Sequence, residues 1–382
     1  MQKKLIAVAV AGALMPAAAM AQSTVQIFGN MYLEYAFVKQ GRDAAGQDLA
    51  NADVLQTPGS EIGFRGEEKL GGGMSAWFTC TSTADPRGVS ADGWCTRNSA
   101  VGLRGNFGNF FIGNWDTPFK RTMGNTGGRD TGIFGTAWML AGQSTTVTDG
   151  ASTGVFKRRQ RNSINYDSPN FGGFQFMAAT TSTNSSTATT ATSAGAKPRV
   201  WSLAGQYRGG PLTVAAGYEQ HDKMYNANVA NSTFAGDGKG WHLSGSYQLG
   251  GVRLGGMFTE QKGEPAAGQS VKVKAYQLGA EWKIQGPHNV HFGYTVADDV
   301  TGTAAAVLSP NRPAANALGN TGAKMWQIRY LHDFSKRTQG TIGYVSLKNE
   351  TAALYTLGGL ATTTTSLGAK DSAFALSIAH RF

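Results

Sequence analysis

Asp371-Ser372-Ala373-Phe374-Ala375-Leu376-Ser377-Ile378-Ala379-His380-Arg381-Phe382 closes the chain, and its reading decides the fold. Phe374, Leu376, Ile378, His380 and Phe382 share one parity; Ala373, Ala375, Ser377, Ala379 and Arg381 share the other. Period-two alternation of large apolar against small or polar side chains predicts a β-strand with a different solvent on each side. A strand that ends on the last residue needs an edge to pair with. The first strand of the mature chain is the natural partner, because pairing first to last closes a barrel and removes both edges.

The start of the chain fits that closure. Between Gln22 and Val38, the residues Val25, Ile27, Gly29, Met31, Leu33, Tyr35 and Phe37 take one side, and Gln26, Asn30 and Glu34 the other, with Phe28 and Tyr32 among them. Such a run is longer than a common soluble strand and suits a tilted membrane-crossing one. Ser60 to Glu67 and Met74 to Ser82 then flank a tight Gly71-Gly72-Gly73 turn. Further short turns are expected at Gly105 to Asn109, Ser168 to Gly173, Gly209 to Pro211, Gly250-Gly251, Gln285 to Pro287 and Ser335 to Arg337. Long connections are expected at Lys39 to Thr57, Thr83 to Thr96, Thr117 to Phe156, Thr181 to Pro198, Asp222 to Lys239, Gly263 to Ser270, Asp298 to Gly322 and Asn349 to Lys370. The alternation predicts an all-β, antiparallel, sixteen-stranded transmembrane barrel with short periplasmic turns and long external loops. One strand, Thr338 to Leu347, has no clear assignment of faces.

Lys3-Lys4, the apolar run Leu5 to Met15 and Ala19-Met20-Ala21 predict a signal peptide over residues 1–21, cut before Gln22. The barrel domain is expected to fill residues 22–382. Removing Lys3 and Lys4 lowers the formal charge from +10 to +8. An excess of this size suits an acidic surface, nucleic acid or an anion path, and export removes nucleic acid as a partner. Charged residues are only 15% of the chain, fewer than the ~25% of an average soluble domain. Cys80 and Cys95, an even pair in an exported chain, are expected to bridge and pin one external loop. The six histidines form no metal-spaced cluster, and neither a GxSxG elbow nor a phosphate-binding GxxxxGK[ST] occurs. No enzyme and no cofactor is expected.

Several short pieces, weak alone, become specific in their order: Thr24 to Gly29; Ile62-Gly63-Phe64-Arg65-Gly66-Glu67-Glu68 running into Leu70-Gly71-Gly72-Gly73-Met74; Val101 to Gly105 with Phe107-Gly108; Asn162 to Tyr166 with Ser168-Pro169 and Phe171 to Phe174; Phe334 to Thr338; and the final Phe382. In these the chain resembles the trimeric general porins of Gram-negative outer membranes, in their beta-proteobacterial branch. The resemblance implies a sixteen-stranded barrel, three barrels per particle and a third external loop folded into the pore. It implies outer-membrane lipid, lipopolysaccharide and the barrel-assembly machinery as partners, the last reading the C-terminal strand and Phe382. Ions and small hydrophilic solutes are the implied cargo.

The residues point to the same loop. Thr117 to Phe156 is long and apolar for a loop, with Ile133-Phe134 and Trp138-Met139-Leu140, so inward folding is expected. It carries or adjoins Asp116, Lys120, Arg121, Arg129, Asp130 and Asp149. Parity places Glu61, Arg65 and Glu67 in the lumen, and also Arg159, Arg161, Ser163, Asn165, Arg253 and Arg329. Arg65 and Arg159 match the family's basic ladder; Arg97 is a weaker match because its parity points outward. Asn114 and Asn165 stand where some relatives are basic, which weakens the ladder. Glu34, Glu219 and Glu281 are expected to balance the arginines. The function expected is a water-filled diffusion channel with an anion preference. Rival readings are a substrate-specific porin, with Trp115, Trp138 and Phe134 as an apolar slide, and an adhesin or receptor barrel. The alternative for those aromatics, favoured here, is that they anchor the loop to the wall.

Overall fold

The structure, a computed structural model, describes residues 25–88, 93–124, 132–135, 156–181, 199–225, 236–264, 268–303, 319–357 and 366–382. The expected leader lies outside them. In chain order the strands are β1 (Gln26–Gln40), β2 (Ala52–Gln56), β3 (Glu61–Gly71), β4 (Met74–Thr83), β5 (Ser99–Gly105), β6 (Gly108–Asp116), β7 (Arg159–Asp167), β8 (Phe174–Thr181), β9 (Arg199–Gly209), β10 (Leu212–Tyr225), β11 (Gly236–Leu249), β12 (Val252–Gly263), β13 (Val271–Lys283), β14 (His288–Ala297), β15 (Thr301–Gly302), β16 (Ala323–Asp333), β17 (Thr338–Asn349) and β18 (Lys370–Arg381).

These segments form one closed sheet of sixteen antiparallel lanes. β1 pairs with β18 from Asn30↔Arg381 to Gln40↔Asp371. Just beyond, Gly29 and Phe382 exchange both backbone bonds at 3.1 Å. No edge is left where the chain begins and ends. Two lanes are interrupted. β2 and β3 both pair with β1, above and below a break at Thr57 to Ser60. Pro58 has no N–H to give there. Side chains fill the gap: the hydroxyls of Thr57 and Ser60 donate to the Tyr32 carbonyl at 2.6 and 2.9 Å, and Ser60 Oγ accepts from the Tyr32 N–H at 2.8 Å. β14 and β15 likewise share one lane beside β13. The first long connection is therefore shorter than expected, because Ala52–Gln56 belongs to the ladder.

The outer face follows the parity read from the sequence. Ile27, Leu203, Leu278, Phe374, Leu376 and Ile378 are exposed, whereas Ala373 and Ala375 are buried. Apolar surface on that scale has no place in water and suits the hydrocarbon of a bilayer.

The inner face divides in two. Along β4–β7 and β9–β13 the buried inward residues are mostly polar, as with Thr81, Ser163, Ser202 and Gln277. Along β1, β2 and β16–β18 they include an apolar cluster, Ala36, Val38, Val54, Met325, Val345 and Leu347, set among polar residues such as Glu34, Gln327 and Arg329. Two connections cover that wall from inside. Ile133 and Phe134, from the third external loop, and Ala353, Tyr355 and Leu357, from the connection after β17, join the same buried cluster. β17 thus carries apolar residues on both faces, with Ile342 and Tyr344 exposed and Val345 and Leu347 buried. That is why its parity was ambiguous: lipid covers one side and loop the other.

Candidate constriction site

β6 delivers the chain to the lumen at Asp116. Thr117 caps a short helix, α1 (Pro118–Met123), with Pro118 at its first position, where its missing N–H is not needed. α1 lies against the inner faces of β9–β11. Phe119 N–H donates to Ser202 Oγ at 3.0 Å, and Ser244 Oγ–H donates to the Thr122 carbonyl at 2.9 Å. His242 packs edge-on against Phe119 at 4.7 Å, with Nε2 3.0 Å from Thr122 Oγ1. A Cβ on Gly217 would run into the His242 ring, so glycine is required beneath it. Phe156, where the loop returns to the wall, stacks on His221 at 4.5 Å, and Glu219 accepts from His221 Nε2 at 2.8 Å.

The loop's second seat lies at a one-turn 3-10 helix, Gly132–Gly135. Glu34, fully buried, accepts the Ile133 N–H at 2.9 Å and the Tyr32 hydroxyl at 2.6 Å, and Gln56 Nε2 also donates to it. Gly132 has φ 64° and sits so close that a Cβ would strike the Glu34 carboxylate. Phe134 lies over Gly343 and under the Arg329 guanidinium at 5.1 Å. The expected inward folding of this loop is what its described residues show.

Facing the lumen near the foot of α1 is a charged cluster. Lys120 Nζ donates to Asp116 at 2.6 Å, and Arg159 Nε lies 3.3 Å from the same carboxylate. Asn98 Oδ1 accepts from Arg159 Nε at 2.7 Å. Alongside, Arg97 Nε donates to Glu61 at 2.6 Å. Three cations thus face two carboxylates, which leaves an excess of one positive charge. Burial draws the Lys120 ammonium below its ordinary pKa, and Arg159 and Arg97 push the same way against Asp116.

The residues singled out in the sequence therefore separate. Asp116, Lys120, Arg159 and Glu61 meet at the cluster. Arg121 leaves it to grip Asp167 with two parallel bonds of 2.7 Å, a fork that ties α1 to the wall. Arg65 lies toward the periplasmic end of β3, with Nε 3.1 Å from Gln26 and its guanidinium 5.0 Å from the Phe28 ring. Glu34 belongs to the loop's second seat rather than to an open lining, whereas Arg329 covers Phe134 there and also lines a cavity with Arg253, Glu281 and His291. Arg161 does not share a row with Ser163 and Asn165. The β6–β7 register shifts at Asn162, whose φ is 51°, leaving Ser163 and Asn165 buried and Arg161 exposed. Arg97 is placed inward, against its parity: it precedes β5, and Ser99 Oγ already binds the Thr81 backbone N–H at 2.9 Å. Bulges of this kind break simple alternation. Glu281 lies 3.6 Å from Arg253, whereas Glu219 is buried against His221. Asp130, Arg129, Asp149 and Trp138 lie outside the described residues. Trp115 packs on Trp77 and Phe111 in the wall. Cys80 and Cys95 form a disulfide, with Trp94 6.0 Å from Phe64 beside it.

A closed sixteen-lane barrel with an internally seated third loop and a charged lumen invites comparison with known channels. The model of the family described as Gram-negative porin matches residues 7–352. The chain belongs to the Gram-negative porin family. It is 30% identical over 359 residues to outer membrane porin protein 32 of Delftia acidovorans, which covers 94% of this chain and 92% of that one. It is 32% identical over 183 residues to the major outer membrane protein P.IB of Neisseria gonorrhoeae, 46% of each chain. Among solved structures, the anion-selective porin from Comamonas acidovorans superposes with a TM-score of 0.72 at 25% identity, over 94% of this chain and 100% of that one. OmpT of Vibrio cholerae matches at 0.66 with 13% identity, a likeness of fold alone. This porin is therefore an outer-membrane barrel of Gram-negative bacteria, and its matched relatives are channels.

Proposed function

We propose that this porin is an anion-preferring diffusion channel whose selectivity is set at the Arg97–Glu61 and Lys120–Asp116–Arg159 cluster. The observation that carries the reading is the imbalance there: three cationic side chains against two carboxylates, on a wall of low dielectric. Fixed positive charge in a narrow aqueous path raises the local concentration of anions and repels cations. Arg65 adds a further charge on the periplasmic side, bonded to neutral Gln26 rather than to an acid. The similar protein from Comamonas acidovorans is itself described as anion-selective, which supports the same sign here.

The role of the loop is mechanical. Seated at α1 on one wall and at Ile133-Phe134 on another, it narrows the lumen and holds Lys120 at the cluster. Phe382, ring against Gly29 at the closure, is the feature offered to the assembly machinery. A trimer in the outer membrane, in contact with lipopolysaccharide, completes the reading on the family resemblance.

The test is the zero-current potential of the reconstituted porin in a KCl gradient. An anion-selective potential that falls as salt rises supports the reading, because the screening length drops from ~10 Å at 0.1 M to ~3 Å at 1 M. A cation-selective or neutral potential at low salt would overturn the anion preference and leave the channel.

A further inference from the structure

We propose that the inner wall of β3–β6, from the constriction cluster toward the periplasmic turns, carries a subsite for planar aromatic carboxylates, between Arg65 and Trp115. It rests on the channel reading but not on the sign of the constriction charge.

The β3–β6 wall is unlike the rest of the lumen. Trp77, Phe111 and Trp115 form an aromatic cluster on its inner face, with ring centroids 5.1–5.9 Å apart. The sequence builds it deliberately: Gly102 pairs with Trp77 on one side and Phe111 on the other, and a Cβ at Gly102 would collide with both. Phe28 lies over Gly63 in the same way. These rings do not seat the third loop. The loop's described anchors are Phe119, Met123 and Phe156 on one wall and Ile133 and Phe134 on another, in separate clusters. Instead, Phe28, Trp77 and Trp115 line a cavity of about 620 Å³ with Arg65 and Arg104. That volume lies in the range of small-molecule sites.

The charges in the cavity are not equivalent. Glu61 is held by Arg97, and Glu67 by Lys69 at 2.7 Å with Arg104 at 3.9 Å. Arg104 also covers the Trp77 ring at 5.3 Å. Arg65 has no carboxylate among the described ion pairs; its partners are Gln26 and the Phe28 ring. A cavity with aromatic walls and one guanidinium lacking an acid fits a ligand that is flat and apolar at one end and a carboxylate at the other. The ring packs on the Trp115 indole, since Trp77 is buried and covered by Arg104, and the carboxylate takes the fork of Arg65. A purely electrostatic filter needs none of these rings.

The probe is benzoate, with acetate as the control of equal charge, added to the full-length porin conducting KCl in a planar bilayer. Benzoate is expected to lower conductance or raise current noise at concentrations roughly fivefold to tenfold below those of acetate, the worth of one good ring contact. Trp115→Leu, which keeps apolar packing, and Arg65→Gln are each expected to raise the half-blocking benzoate concentration by about fivefold, with the acetate effect changed only by Arg65→Gln. Equal block by benzoate and acetate, or two folded variants with wild-type benzoate sensitivity, would overturn the subsite. If Trp115→Leu does not fold, near-ultraviolet circular dichroism replaces it. Benzoate must then perturb the indole bands of the wild type and not those of Arg65→Gln, and an unperturbed wild type overturns the proposal. The KCl zero-current potential, measured on the same membranes, separates the two readings. A neutral potential with selective benzoate block removes the constriction filter and keeps the subsite; an anionic potential without that block does the reverse.

Discussion

The inner wall of β1, β2 and β16–β18 and the inner wall of β3–β7 face the same lumen and differ in nearly every side chain. The first is Ala36, Val38, Met325, Val345 and Leu347, sealed by loop residues, with Glu34 buried beneath. The second carries Glu61, Arg97, Asn98, Asp116 and Arg159 beside the water path. The difference teaches that inward parity names a direction and not a solvent. A strand of a barrel this wide can turn inward toward water, toward its own loops or, as at Trp77, Phe111 and Trp115, toward neighbouring rings, and its aliphatic residues gather where loops cover them.

The comparison breaks most severely at the covered wall. Glu34→Lys puts an unmatched charge where the Ile133 N–H, Tyr32 and Gln56 all expect an acceptor. It is expected to cost ~3–5 kcal/mol, unseat the loop tip and raise single-channel conductance. A heat-denaturation gel and bilayer recordings check both effects, and unchanged conductance with a folded barrel would refute the latch. Next is Arg121→Ala on the opposite seat, which leaves Asp167 buried without its fork. A loss of ~3 kcal/mol is expected, read as an earlier thermal transition of the folded barrel. Phe134→Ala strips the ring from Gly343 and Arg329. It should weaken the seat by ~2–3 kcal/mol, with conductance moving in the same direction as for Glu34→Lys.

The open wall responds in a different currency. Arg159→Gln changes the cluster from an excess of one positive charge to balance. Its expected effect is a drop of about twofold to fivefold in the anion-to-cation permeability ratio, with the thermal transition lowered less than by Arg121→Ala because Lys120 still pairs with Asp116. A large fall in stability without a shift in permeability would mean that Arg159 belongs with the structural arginines. The smallest effect is expected at neither wall: Arg42 and Asp48, side chains 71% and 77% exposed, form a surface pair whose loss should change stability by ~0–1 kcal/mol and permeability not at all.

Much of this was legible in the residues. Alternation in the last twelve residues, the glycine turns and the lengths of the connections suffice for the barrel, its closure and the inward loop. They suffice because a strand's two faces must each match one solvent and because turn residues mark where the ladder reverses. Arg161 lies beside the register shift at Asn162 and Arg97 precedes β5, outside its paired residues, so strand parity carries to neither, and nothing in the local composition announces it. Glu34 reads in sequence as one more polar residue on an inward face, and Arg121 as one more loop cation.

What the sequence determined by itself is therefore everything carried by period and punctuation: the strands, their outward faces, the family and the loop that must find cover. What only the tertiary structure decided is which charges meet. Asp116 joins Arg159 from the neighbouring strand, while Glu34 meets Ile133 across 99 residues of chain. Such pairings depend on the register of separate strands and on where a long loop comes to rest. They are fixed by packing across the lumen, which no local pattern of residues encodes.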